Sequence, residues 1–300
     1  MSLSSKIKAC IHLVRPFTLL APMIATMSGI LMSMLYHSEP HRFFENGHVV
    51  VLAAIAMALA QMCGQVINQS EDPVELDILN NKSYRPIPQR KISLSSARKI
   101  GILAGILALA SAFAVRLVFG FGIFIILFFA VFYSIEPIRA KKRKILGTLW
   151  LGVSRGFLPL LMAWSIFYSP FETVPIALSL VLFFWVSGFQ ITKDFPDIKG
   201  DKQFGILTFP VVYGVEKSKK FMQAMNMLAF GTLALYLATH VLNRSFSLVL
   251  AFFPVGTLVI HGISEKPKKL KSVENSPEWM FFYFGLGLLY ILFTIALAIP

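Results

Sequence analysis

Apolar residues in this chain come in long runs, and polar residues are confined to the short segments between them. Nine such runs are present, near 16–36, 48–67, 98–115, 117–134, 147–168, 173–191, 219–240, 245–263 and 278–299. Each is about 20 residues long, the length that carries an α-helix across a bilayer. The pattern predicts an all-α integral membrane protein of about nine transmembrane helices in one domain, 1–300. The longest polar segments lie near 68–97 and 192–218.

Composition agrees with this reading. Hydrophobic residues make up 56% of the 300-residue chain and charged residues only 14%, too few to clothe a soluble core of this size. The net charge of +13 invites a nucleic-acid partner, but its placement argues otherwise. Lys6, Lys8 and Arg15 precede the first run. Further clusters follow the second run (Lys82 to Lys99), the fourth (Arg139 to Lys144), the sixth (Lys193 to Lys220) and the eighth (Lys266 to Lys271). The opposite side carries only Arg42, Arg116 and Arg244, while Arg155 falls inside the fifth run. This is the positive-inside pattern. It predicts a cytoplasmic N-terminus and an outer C-terminus, and it accounts for the charge without nucleic acid. The first run lacks a small-residue cleavage site and reads as a retained span. Cys10 and Cys63 are too few and too far apart for a disulfide scaffold or a thiolate metal site.

All five aspartates lie in two segments, NQSEDPVELD and KDFPDIKGD. Each follows a span on the same side, four spans apart. In each, an amide precedes an aspartate by four residues (Asn68 and Asp72, Gln190 and Asp194), and another acid follows three residues later (Glu75, Asp197). The match suggests an internal pseudo-repeat of a four-helix unit. Helical spacing puts Asn68 and Asp72 on one face, and Asp194, Asp197 and Asp201 on another. Asp77 points elsewhere unless Pro73 breaks the helix. Carboxylates gathered this way repel one another unless a cation joins them, and oxygen ligands of this kind suit Mg²⁺ with substrate phosphates. The plainer alternative is a set of solvated acids paired with nearby lysines.

Basic residues stand beside the acids: Lys82 and Arg85 next to the first segment, Arg139 and Lys141 after the fourth run. Carboxylates interleaved with Arg and Lys suit a metal-bound polyphosphate. Many of these lysines equally suit lipid headgroups. Arg155, roughly 12 Å into its helix by the 1.5 Å rise, faces a cavity or a partner, or else snorkels back to the surface. Tyr133 either presents its ring to a carbocation or is an ordinary interfacial tyrosine. The six histidines show no paired spacing.

These residues resemble the UbiA-type intramembrane prenyltransferases over nearly the whole chain. The family's Asn-x-x-x-Asp-x-x-x-Asp motif is similar to Asn68, Asp72 and Asp77, here with one extra residue, Pro73, so that Leu76 takes the usual place of the last aspartate. Its Asp-x-x-x-Asp motif matches Asp197 and Asp201, preceded by Asp194. RPIP at 85–88, YSIEPIRAK at 133–141 and the stretch KDFPDIKGDKQFGILTFPVVYG also resemble family signatures.

The resemblance implies helices around a central cavity, capped by cytoplasmic loops. It implies transfer of a prenyl group from a polyprenyl diphosphate to a lipophilic acceptor, with diphosphate released. The acceptor would be an aromatic such as a hydroxybenzoate or quinone precursor, or an archaeal-type geranylgeranylglyceryl phosphate. Asn68, Asp72, Asp77, Asp197 and Asp201 would hold two Mg²⁺. Arg85, Lys82, Arg139 and Lys141 would grip the diphosphate. Asp194, Tyr133 and Arg155 are the candidate catalytic groups. No obligate protein partner is implied. The rival class is a membrane carrier or cation channel using the acidic loops as a cation site; such proteins place ionisable residues at mid-bilayer on broken helices.

Overall fold

A computed structural model describes residues 3–263 and 276–299. The basic cluster Lys266 to Lys271 lies outside the described residues. Among them the chain is helical, with no strand. An amphipathic helix α1 (Leu3–Val14) comes first. Nine longer helices follow: α2 (Pro16–Tyr36), α3 (Gly47–Glu71), α4 (Leu94–Val115), α5 (Leu117–Phe132), α6 (Ile145–Trp164), α7 (Thr173–Phe189), α8 (Phe209–Ala238), α9 (Arg244–Gly262) and α10 (Pro277–Ala298). Eight candidate spans pass the length and hydropathy tests for crossing a membrane, the one that begins with α7 running on to Gln203. The ninth helix, α5, has 16 residues, about 24 Å at the standard rise. It stops short of the predicted residue 134 because Tyr133 and Ser134 already belong to a turn.

Two boundaries depart from the sequence pattern for physical reasons. Helix α8 begins at Phe209, ten residues before the apolar run near 219. Its first turns carry Glu216, Lys217, Lys219 and Lys220, so hydropathy hides them. Pro210 sits in the first turn, where its missing N–H costs nothing, and Gly214 (φ 78°) kinks the helix in a region that glycine enters readily. Helix α1 was too short and too polar to register as a span. It buries Ala9 and Leu13 against Val66, Ile87, Ile92 and Ala97 and leaves Ile7 and Ile11 exposed.

The helices pack into two clusters. One joins α2 to α5 through small residues: Ala53, Ala56 and Ala60 of α3 meet Ala104, Ala108 and Ala112 of α4. Small side chains let helices approach closely in lipid, where dispersion replaces the hydrophobic drive. The other joins α2 and α6 to α10 through large residues, with Trp164, Trp185, Phe189 and Phe282 at its centre. Ile102, Ile106, Phe121 and Phe124 stay exposed on the outside of α4 and α5, as a lipid-facing surface requires.

Helix α6 binds the halves together and is distorted in its middle. Over Gly152–Phe157 its bonding widens to the π pattern. Pro159, two residues on, has no N–H for the Arg155 carbonyl and crowds it. Gly156 lies against α7, where a Cβ would fall 2.6 Å from the Leu182 carbonyl oxygen. We expect Gly156→Leu to force α6 and α7 apart, at a cost of about 1–3 kcal/mol. Thermal unfolding in detergent checks this; an unchanged midpoint would mean that the contact yields freely.

Candidate active site

The two acidic segments fold by different means. Helix α3 ends at Glu71, because Asp72 precedes a proline and is driven to extended backbone (φ −85°, ψ 140°). After Pro73 a short helix Val74–Leu79 restarts and carries Asp77. Pro73 therefore re-aims the chain, the condition under which Asp77 joins the site. Helix α7 gives way after Phe189 to two tight turns, Gln190–Lys193 and Phe195–Asp197, before a short helix Ile198–Gln203. The single helical face expected for Asp194, Asp197 and Asp201 is thus not a continuous helix. All three nevertheless line the same cavity as Asn68, Asp72 and Asp77.

Lys82, Arg85, Lys141, Tyr133 and Arg155 line that cavity too. Each acid but one lies against a cation. Lys82 Nζ lies 2.5 Å from Asp197 Oδ2 and so ties the first loop to the second. Arg85 Nη1 donates to Asp77 Oδ1 (2.9 Å). Lys141 donates to Asp72. Lys193 donates to Asp194 Oδ1 (2.5 Å) and to the Tyr133 hydroxyl (2.8 Å), and stands 5.3 Å from the centre of the Tyr133 ring. Asp201 Oδ1 accepts a longer bond from Asn80 Nδ2 (3.4 Å). Burial pushes the Lys141 ammonium below its ordinary range, and the Asp72 carboxylate opposes this.

One predicted residue is not on the wall. Arg139 turns behind Asp72, with Nη2 at 3.8 Å from Asp72 Oδ1 and Nη1 at 3.7 Å from Glu136 Oε1. Its left-handed backbone (φ 37°) bends the chain so that the guanidinium braces the Glu71 carbonyl and Asp72 from outside.

Residues that the sequence reading passed over also line the cavity: Arg15, Thr18, Gln61, Gln65, Trp279 and Tyr283. Gln65 accepts from Thr18 Oγ1 (2.6 Å) and donates to the Val14 carbonyl, while Gln69 donates to the Leu13 carbonyl (2.9 Å). These amides hold the corner between α1 and α2. Tyr283 of α10 donates to the Phe17 carbonyl (2.7 Å) and accepts from the Ala21 N–H (2.9 Å). The signal was present: Gln61, Gln65 and Gln69 step at i, i+4 along an otherwise apolar span, where amides rarely lie without a reason.

Among the described residues, no three acids, histidines or cysteines stand together as a ready-made metal cage; lysines occupy the spaces between the acids. The donors still suit a hard cation. Asp197 Oδ1 is buried with no hydrogen-bond partner. Asn68 spends its Nδ2 on Ser134 Oγ (2.8 Å), which turns its carbonyl oxygen the other way. Oxygen-only ligands of this kind fit Mg²⁺.

The sequence pattern of the UbiA prenyltransferase family matches residues 23–286. The chain belongs to that family. UbiA-type proteins transfer prenyl groups, so the protein is an enzyme of the membrane. It is 25% identical to the digeranylgeranylglyceryl phosphate synthase of Methanobrevibacter smithii, covering 81% of this chain and 88% of the relative. It is 27% identical to the homogentisate phytyltransferase of Synechocystis, covering 95% and 94%. A UbiA homologue from Archaeoglobus fulgidus, bound to GPP and Mg²⁺, shares its fold with a TM-score of 0.73 at 20% identity, covering 96% and 98% of the two chains.

The Lys82–Asp197 contact leads to a specific expectation. Lys82→Met should speed amide exchange at least tenfold in 80–93 and in 194–203 alike, measured by hydrogen–deuterium exchange. Acceleration confined to 80–93 would show that the second loop does not depend on the first.

Proposed function

We propose that the protein transfers a prenyl group from a polyprenyl diphosphate to a lipophilic acceptor at the cytoplasmic face of the membrane. Convergence of both aspartate segments and their cations on one cavity supports this reading. The allylic C1–O bond of the donor breaks, and its electron pair leaves with the diphosphate. An acceptor carbon or hydroxyl oxygen supplies the pair that forms the new bond to C1, and it gives up a proton. Asp194, poised on the wall beside Lys193, takes that proton. The Tyr133 ring steadies the positive charge spread over the allylic carbons.

The leaving group is stabilised by charges already in position, usually the largest catalytic term. Arg85, Lys82 and Lys141 turn from their aspartates toward the phosphate oxygens. Arg139 keeps Asp72 in place from behind. Asn68, Asp72, Asp77, Asp197 and Asp201 would then hold two Mg²⁺, which supply Lewis-acid stabilisation to the diphosphate when bound. The charge balance favours this. In the resting site the aspartates are offset by lysines and arginines, so a trianionic diphosphate entering alone would leave uncompensated charge at the membrane rim. The distribution of basic residues supports a cytoplasmic N-terminus.

Turnover is measured with purified protein, labelled geranylgeranyl diphosphate and a panel of acceptors. Asp72→Ala and Asp201→Ala should each lower it by more than about a hundredfold while the protein stays folded in detergent. Near-normal turnover in either variant would sink the metal assignment. EDTA should stop the reaction and Mg²⁺ restore it. Ion flux in proteoliposomes without any prenyl transfer would instead favour a carrier.

A further inference from the structure

Arg155 stands on the cavity wall outside the acid cluster. Lys82, Arg85, Lys141 and Lys193 each face an aspartate. Arg155 does not. Its one hydrogen bond is from Nη1 to Gln190 Oε1, at 3.3 Å, and no carboxylate of the described residues lies within ion-pair distance. The side chain belongs to the interior of α6, ten residues past Ile145, or roughly 15 Å along the helix axis.

A guanidinium does not surrender its proton. A charge held at such depth needs an opposite charge or a polar lining. Elsewhere arginines meet this need: buried Arg85 with Asp77, and Arg116 with the carbonyls of Ser165 and Ile166. At Arg155 the lining supplies a single carboxamide oxygen. The other end of that carboxamide compounds the problem. Gln190 is 1% exposed, and its Nε2 is buried with no acceptor. Both side chains line the cavity. Guanidinium and amide thus offer donors side by side, and the cavity wall returns too few acceptors for them.

The backbone is shaped to present this arginine. Arg155 lies in the widened turn of α6 created next to Pro159. Widened turns of this sort cluster at functional sites. Gln190, which accepts from Arg155, lines one small recess together with Tyr133 and Asp194. An anion seated at Arg155 therefore stands near the reacting end of the cavity, but on groups separate from those that take the diphosphate.

We infer that Arg155 and Gln190 form a subsite for an anionic group, carboxylate or phosphate, carried by the acceptor. This rests on the prenyl-transfer reading. The anion anchors the acceptor and aims its nucleophilic atom at C1 of the donor, near Tyr133 and Asp194. Trp279, Phe282, Tyr283 and Pro159 supply an apolar and aromatic wall for the rest of the molecule.

Wild-type protein in detergent is first tested for binding of geranyl diphosphate with Mg²⁺. Loss of this binding in Asp72→Ala checks the underlying reading independently of Arg155. Acceptors are then compared in pairs: 4-hydroxybenzoate against 4-hydroxybenzamide, and geranylgeranylglyceryl phosphate against geranylgeranylglycerol. The wild type should favour one anionic member over its neutral partner by at least tenfold in kcat/KM, and the favoured pair identifies carboxylate or phosphate. Arg155→Gln should reduce that preference below about twofold, chiefly through KM for the acceptor, and Arg155→Lys should restore part of it. Equal use of charged and neutral acceptors by the wild type overturns the inference. So does a preference that survives in Arg155→Gln, or an equal rise in KM for donor and acceptor.

Discussion

Charge brought to the rim of a membrane must be cancelled close at hand, and the end of this protein that carries the acidic loops is organised around that constraint. Taking a carboxylate or ammonium out of water costs several kcal/mol even after relaxation. The chain gathers its aspartates at one place and meets most of them with lysines and arginines from other segments. Lys82 reaches from the first loop to Asp197 in the second, and Lys141 from the third to Asp72. Residues 115 and 69 positions apart are thereby held in one surface. These ion pairs act together with the close approach of Gly200 to Asn80 in arranging the loops.

On the proposed function, the same pairs would prepare the site for a triply charged guest. In the proposed reaction each cation would leave its partner for phosphate oxygens, and each carboxylate so released would become an oxygen ligand for a divalent ion. In the proposed reaction, binding is an exchange of partners among groups already desolvated. Little reorganisation is then left for the moment of bond breaking, which is where electrostatic preorganisation acts. The orphaned Asp197 Oδ1 is where the resting arrangement is least complete.

Much of this was legible in the chain. The spans were visible because bilayer thickness imposes a length on apolar runs, and most boundaries fell within a few residues. The aspartate motifs pointed to the cavity because acids that collect in an apolar chain have few other reasons to do so. What stayed hidden depends on partners distant in sequence or on side chains with mixed character. The first turns of α8 are charged, so hydropathy could not see them. Spacing placed Asp194, Asp197 and Asp201 on one helix, whereas Pro196 lies in a tight turn that breaks it. Arg139 carries the same charge as Lys141, two residues later, yet a left-handed backbone turns it behind Asp72. Such a turn has no compositional mark when the residue is not glycine.

The cavity also divides by chemistry, and the division follows from the helices that build it. Its polar rim is made of loops and helix ends, where polar backbone is free to bend and charged side chains reach one another. Its interior is walled by α2, α3, α5, α6 and α10, which contribute Ala25, Ala60, Ala130, Leu151 and Leu286. A carbocation formed at the boundary would face water on one side and hydrocarbon on the other. In the proposed reaction a bound diphosphate would complete the paired charges at the rim and help to exclude bulk water. Donor binding would thus close the site against the competing nucleophile, and the acceptor, entering from the apolar side, would meet the cation first.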